Sequence, residues 1–305
     1  MSAGHYSAAP ALNGVHNPRR VAYQVERSAG WGRAARGARL AAVTADRAPL
    51  DPDFLRSHAP SWRRLDVVDE TGSTNADLVA RAAAGEEIAG AVLLAEAQTA
   101  GKGRHGRSWT TPPMAQVALS AGVAVDGVGP DGWGWLPLLT GVAVVDAVRA
   151  VAGVDAGLKW PNDVLVAGRK LAGILAEVAA GPVIVVGLGL NVSLRAEEAP
   201  VDTATSLAML GRPGDRNVLA AAVLENLAAR VSDWRAAGGA SAALRADYRR
   251  LSVTLGAPVR VLMPGEAEIT GTAVDLDELG RVVVDDGNAR TAVAAGDVTH
   301  LRPQH

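Results

Sequence analysis

Ala100-Gly101-Lys102-Gly103-Arg104-His105-Gly106-Arg107-Ser108-Trp109 puts three glycines and three permanent positive charges into ten residues. Glycine costs roughly 0.5–1 kcal/mol relative to alanine inside a helix or strand, and like charges this close repel. The stretch therefore reads as an irregular, flexible loop. The apolar run Ala91-Val92-Leu93-Leu94-Ala95 just before it reads as a buried strand, so the loop hangs from a strand end. Two readings fit. One is a mobile, solvated basic turn. The other is a clasp that closes over something anionic, with backbone N–H groups and Arg and Lys heads facing phosphate or carboxylate oxygens.

Two phosphate-binding patterns do not fit. A P-loop needs a glycine four residues clear of Gly-Lys and a Ser or Thr after it. The chain has Glu96 and Gly103 there. Gly187-Leu188-Gly189-Leu190-Asn191-Val192 begins like a dinucleotide fingerprint, but its sixth residue is Val192 and no good helix follows.

With 305 residues there is room for one large domain and a small one, and a hydrophobic content of 49% is ample for a core. The chain has no cysteine, which excludes disulfides, thiol catalysis and Cys-ligated metal. The six histidines show no ligand-like spacing, so no metal site is expected. No secretory signal and no bilayer-length apolar run stand out. The expectation is a cytoplasmic protein with no membrane partner. A net charge of -2 argues against a protein built to bind nucleic acid. Only Lys102, Lys159 and Lys170 are lysines, against 27 arginines. All three lie in the central third, inside the most patterned segments.

Residues 1–50 carry seven Arg against Glu26 and Asp46 and show no apolar period, so they read as a disordered extension that the fold does not need. A strand is expected over 62–69. Thr71-Gly72-Ser73-Thr74-Asn75 then opens a helix capped by Ser73 or Thr74, with Leu78 and Val79 on its buried face and Gly85 at its end. Those Ser and Thr groups serve as caps, and the same helix start is suited to a polar ligand. Strands are expected over 91–97 and 116–125, and a long apolar helix over 133–151. Leu158-Lys159-Trp160-Pro161-Asn162-Asp163-Val164-Leu165-Val166 reads as strand, kink and strand. A hairpin turn at Ala167-Gly168 leads into a strand over 170–178, and a last strand ends on Gly187, Gly189 and Asn191. The short connections favour antiparallel neighbours. Helices over 215–236 and 242–251 follow. Short strands over 259–262, 268–274, 281–284 and 291–294 then suggest a small β-barrel, with a domain boundary near 252–256.

These motifs occur together in one known family. The chain resembles a biotin protein ligase of the monofunctional kind. The family's Gly-Arg-Gly-Arg-x-Gly-Arg-x-Trp loop appears as Gly101 to Trp109, its Lys-Trp-Pro-Asn-Asp as Lys159 to Asp163, and its Lys-Leu-Ala-Gly-Ile-Leu strand as Lys170 to Leu175. The Ser-Thr-Asn turn at Ser73 and the Gly-x-Gly-x-Asn at Gly187 also match, all in family order. Two departures stand out: Lys102, where the family has Arg, and no sequence suited to the winged-helix domain of the bifunctional repressor type.

The resemblance implies an α+β catalytic domain over 51–253, with a mixed sheet similar to class II aminoacyl-tRNA synthetases, and an SH3-like C-terminal domain over 254–305. It implies formation of biotinyl-5′-AMP from biotin and ATP with Mg2+, and then transfer to a lysine of a biotin carboxyl carrier domain. The expected assembly is a monomer or weak homodimer that binds no DNA. Carried over residue by residue, Ser73, Thr74, Asn75, Gln98, Gly101, Lys102, Gly103, Arg104, Lys170, Gly173 and Gly187 bind biotin. Arg104, Arg107, Trp109, Asn162, Lys170 and Asn191 bind ATP, and Lys170 and Arg104 are catalytic. Lys159 and Asp163 orient the wall. A lipoate or octanoate ligase shares the chemistry but not these motifs. A non-enzymatic nucleic-acid-binding protein uses only the basic loop.

Overall fold

Seven strands form one mixed sheet in the order β1-β2-β3-β7-β6-β5-β4, and five more form an antiparallel sheet in the order β11-β10-β9-β8-β12. This computed structural model describes residues 47–262, 268–294 and 297–300. The described residues lie within a single compact unit, Leu40–His305.

The first sheet begins with β1 (Arg64–Thr71) and β2 (Ala91–Gln98), which run parallel. A parallel pair needs a crossover, and α2 (Thr74–Ala83) supplies it. Its N-cap is Ser73, and Leu78 and Ala82 face a small core with Ile88, Leu93, Val183 and Val185. The remaining pairings are antiparallel. β3 (Gln116–Ala124) lies between β2 and β7 (Val183–Asn191). The meander β4 (Gly157–Lys159), β5 (Asp163–Val166) and β6 (Arg169–Val178) continues from β7 to the sheet edge. The opposite face is covered by α3 (Trp135–Ala152) and α4 (Arg216–Ala236), with α5 (Ala242–Leu251) beside them. Gly141 lets α3 approach closely, because a Cβ there would lie 2.9 Å from Leu158.

By length and composition the helical stretch Pro130–Ala152 is apolar enough to cross a membrane. Here 67% of its most apolar window is buried inside the protein, where it forms the core beneath the sheet.

The second sheet contains β8 (Pro258–Leu262), β9 (Glu268–Leu276), β10 (Val282–Asp285), β11 (Arg290–Val293) and β12 (Asp297–His300). Two indoles, one on α3 and one between β4 and β5, fasten it to the rest of the chain. Trp135 Nε1 donates to Glu278 O at 2.8 Å, and Trp160 Nε1 to Gly280 O at 2.9 Å. Thr254 accepts from the backbone N–H of Trp160 at 3.0 Å and sits 3.1 Å from His300 Nε2.

Several expectations are corrected. Trp62 precedes β1, because its indole turns away to donate to Leu224 O at 3.0 Å. Helix α1 (Pro52–His58) was not foreseen, although Asp51 as N-cap with Pro52 behind it is a recognisable start signal. β12 was also missed. The disordered extension over 1–50 is overturned at its end: Arg47 and Leu50 are only 8% and 5% exposed. Arg47 donates to Ser193 O at 3.0 Å and pairs with Glu198. The N–H of Leu50 donates to Glu96, whose other oxygen lies 2.7 Å from Arg216. Arg216 in turn donates to Ala48 O at 2.6 Å and to Gln116 O at 3.2 Å. Residues 1–46 lie outside the described residues.

Both Glu96 and Arg216 are buried. Arg216→Met should cost about 3–5 kcal/mol in denaturant unfolding, because it leaves a buried charge without its partner. Adding Glu96→Gln to that variant should restore most of the loss.

A pH effect follows from His300, whose imidazole is held below its ordinary value first by burial and then by the Lys159 ammonium. Its contribution is complete above about pH 6.5, the unfolded value, and is lost as the pH falls through the lowered folded value. Melting curves taken from about pH 7 down to pH 5 should therefore fall more steeply for the wild type than for His300→Gln.

Candidate active site

The basic stretch folds as a closed hairpin. Trp109 N donates to Gly101 O at 2.8 Å, Gly103 N to Arg107 O at 2.7 Å, and Lys102 and Ser108 form a β-bridge between them. The tip turns through Arg104–Gly106, with His105 and Gly106 at φ of 55° and 72°. This corrects the expectation of an irregular loop. Glycine makes the hairpin possible: a Cβ on Gly101 would lie 2.4 Å from Trp109 O.

Closure lays the Trp109 indole on the sheet where two strands carry no side chain. A Cβ on Gly189 would fall 2.5 Å from the ring, and one on Gly173 would fall 3.2 Å from it. The indole N–H donates to Gln116 Oε1 at 2.6 Å. Lys170 Nζ sits 5.2 Å from the ring centroid and 2.7 Å from Asp163 Oδ1. Asn162 supports the wall beside it, exchanging hydrogen bonds with Ile174 at 2.9 Å and accepting from Arg104 at 3.5 Å.

Together these enclose a cavity of about 340 Å³. Among the described lining residues, Lys102, Arg104, Arg107, Lys159 and Lys170 face one carboxylate, Asp163. The Arg104 and Lys159 side chains are pushed below their ordinary values by burial first, against the opposing pull of Asp163. Arg107 adds to the lowering at both, and Lys170 at Lys159. An anion bound there would relieve this excess of positive charge.

The other end of the cavity is polar and uncharged. The backbone N–H of Thr74 donates to Gln98 Oε1 at 2.9 Å, and the Thr74 and Ser120 hydroxyls are 2.7 Å apart. Ser120 donates to Asn75 Oδ1 at 2.6 Å, and Asn75 Nδ2 donates to Glu177 at 2.8 Å. Gly187 leaves room for the Asn75 amide, since a Cβ there would lie 2.1 Å from its oxygen.

The predicted residues Ser73, Thr74, Asn75, Gln98, Lys102, Gly103, Arg104, Arg107, Trp109, Asn162, Lys170, Gly173 and Gly187 all line this cavity. Gly101 and Asn191 do not. Gly101 forms the base of the hairpin. The buried Asn191 instead donates to Thr205 O at 2.9 Å, bracing a segment that hydrogen-bonds the Lys170 backbone on both sides. Sequence reasoning missed Gln116, Ser120 and Glu177, along with Leu262 and Val298, which reach the cavity from the second sheet. Glu177 was findable in principle, because it shares a strand face with Gly173 and Leu175.

Gly189→Ala should expel the indole from its seat. The expected result is faster amide hydrogen exchange across 101–109, with a stability loss of about 1–3 kcal/mol from overpacking.

Residues 71–191 match the Biotin/lipoate A/B protein ligase family, and residues 254–301 match the Biotin protein ligase C terminal domain. The chain is 52% identical over 264 residues to a biotin–[acetyl-CoA-carboxylase] ligase of Mycobacterium tuberculosis, covering 84% of this chain and 97% of that protein. It is 32% identical to the bifunctional ligase/repressor BirA of Escherichia coli, over 77% of this chain and 72% of that protein. Among solved structures, the biotin protein ligase from Aquifex aeolicus in complex with biotin and ATP superposes with a TM-score of 0.69 at 26% identity, covering 79% of this chain and all of that one. A glycine-seated tryptophan hairpin, a cation-lined cavity and these likenesses agree: the chain belongs to the biotin protein ligase family.

Proposed function

We propose that this chain joins biotin to ATP, forming biotinyl-5′-AMP and pyrophosphate, and then transfers the biotinyl group to one lysine on a biotin carboxyl carrier domain of an acyl-CoA or pyruvate carboxylase. The observation that carries this reading is the imbalance of charge: five cations around a cavity whose one described acid is already paired. Both substrates are anions, so their approach needs positive charge between them.

In the first half-reaction a biotin carboxylate oxygen bonds to the α-phosphorus as the bond to the departing pyrophosphate breaks. In the second, the acceptor lysine nitrogen bonds to the acyl carbon, AMP leaves with the bonding pair, and the nitrogen loses a proton. Neither step needs a protein nucleophile. Positioned charge supplies the catalysis.

Lys170 carries three N–H donors. Its ion pair with Asp163 at 2.7 Å holds the ammonium in the wall, where those donors can meet the carboxylate and the α-phosphate. Arg104 and Arg107 offer planar forks to phosphate oxygens, and Trp109 and Asn162 border the nucleotide side. Ser73, Thr74, Asn75 and Gln98 border the biotin head, where Gly187 permits close approach. Asn191 is assigned a bracing role, not a nucleotide contact. Lys102 and Gly103 fold over the top, so the hairpin shields the mixed anhydride from water.

Mg2+ is proposed to arrive on the phosphates of ATP. Among the described residues no three acidic, His or Cys side chains converge, a donor set that does not fit a resident metal. The domain limits 51–253 and 254–305 are retained as the working division, with residues 47–50 joined to the first part.

Pyrophosphate release should require biotin and should fail with lipoate or with no acid added. Release with lipoate at a comparable rate would overturn the assignment. Lys170→Ala should slow single-turnover adenylation by about 10²–10³, the cost of one preorganised donor, with little change in melting temperature.

A further inference from the structure

Thr74, Asn75 and Ser120, on and just beneath the cavity wall, are 3%, 4% and 0% exposed, so their polar groups are satisfied chiefly by one another. Each hydroxyl has one proton to give. Asn75 Nδ2 faces two acceptors, Glu177 Oε2 at 2.8 Å and Leu175 O at 3.2 Å. Turning the amide over would set its oxygen against both. Asn75 Oδ1 is thereby fixed toward Ser120, which donates to it at 2.6 Å. With its proton committed, Ser120 accepts from Thr74 across 2.7 Å, a closer acceptor for the single Thr74 proton than Gln98 Oε1 at 3.2 Å. Thr74 is left with a lone pair, and Gln98, whose oxygen accepts from Thr74 N, is left with its amide donors. The chain runs in one direction and ends on a carboxylate outside the cavity lining.

We infer that Glu177 is a positioning residue: its carboxylate sets the polarity of the Thr74–Ser120–Asn75 chain, and through it selects an acid whose head group both donates and accepts. The inference rests on the biotin reading above, since the cyclic urea of biotin carries N–H and C=O side by side. A buried polar site rejects an analogue that leaves it unpaired far more strongly than an apolar pocket rejects a changed chain length. Octanoate and lipoate have no such head. The half-buried carboxylate of Glu177 makes the strongest link in the chain because that bond is charge-assisted.

The test is steady-state pyrophosphate release by the full chain, with biotin and ATP varied separately. Glu177→Gln keeps the shape and removes the charge. Its KM for biotin should rise about tenfold, the scale of losing one charge-assisted bond's advantage. The KM for ATP should stay within about twofold and kcat within about threefold of wild type, a split that general loosening of the fold would not produce. The effect should vanish in an Asn75→Ala background, because the two residues act through one contact. Glu177→Asp, which draws the charge back by one methylene, should behave like the Gln variant and serves in its place if that variant does not fold. An unchanged biotin KM in the variant that folds overturns the inference, as does an undiminished effect in the Asn75→Ala background or an equal rise in the KM for ATP. Failure of the wild type to release pyrophosphate with biotin would instead overturn the assigned reaction.

Discussion

A lysine ammonium held between a carboxylate and an indole face is the contact on which this site depends. Lys170 reaches Asp163 at 2.7 Å and lies 5.2 Å from the centre of the Trp109 ring. Charges taken from water need close partners, or burial suppresses them. Asp163 serves Lys170 directly and opposes the lowering of both Arg104 and Lys159. One acid thus holds several cations in place while leaving most of their charge for an anion. The indole completes the arrangement only because Gly173 and Gly189 leave bare backbone for it to lie on.

The hairpin that carries Trp109 is braced from beneath. Gln116 takes the indole N–H, Arg216 takes the Gln116 carbonyl, and Glu96 pairs with Arg216 while receiving the N–H of Leu50. The segment at residues 47–50 is therefore joined to the catalytic wall through buried polar contacts. On the other side Trp160, the second residue of the Lys159-to-Asp163 motif, ties the wall to the C-terminal sheet through Thr254 and Gly280. The wall itself is fixed, and Leu262 and Val298 come to the cavity as part of that attachment.

Much of this was legible in the chain. The strand–kink–strand around Pro161 and the turn at Ala167-Gly168 each announce local geometry, and the structure forms both. Local rules misled where a short-range signal had a long-range resolution. The basic stretch looked too rich in glycine to be ordered, yet those glycines allow the hairpin to close tightly on itself and on the sheet. Residues 47–50 looked featureless because their partners, Glu96 and Arg216, lie far along the chain.

By itself the sequence determined the order of helices and strands, the places where only glycine fits, and the family to which the motifs belong. Those depend on neighbours a few residues away, which capping, periodicity and turn chemistry describe. The tertiary structure alone decided that β3 lies between β2 and β7, and therefore that Ser120 meets Asn75 and that Gln116 meets Trp109. It also joined the amide of Asn191 to the carbonyl of Thr205. Pairing strands distant in sequence sets which residues share a face, and a shift of one residue reverses that choice for every side chain on the strand.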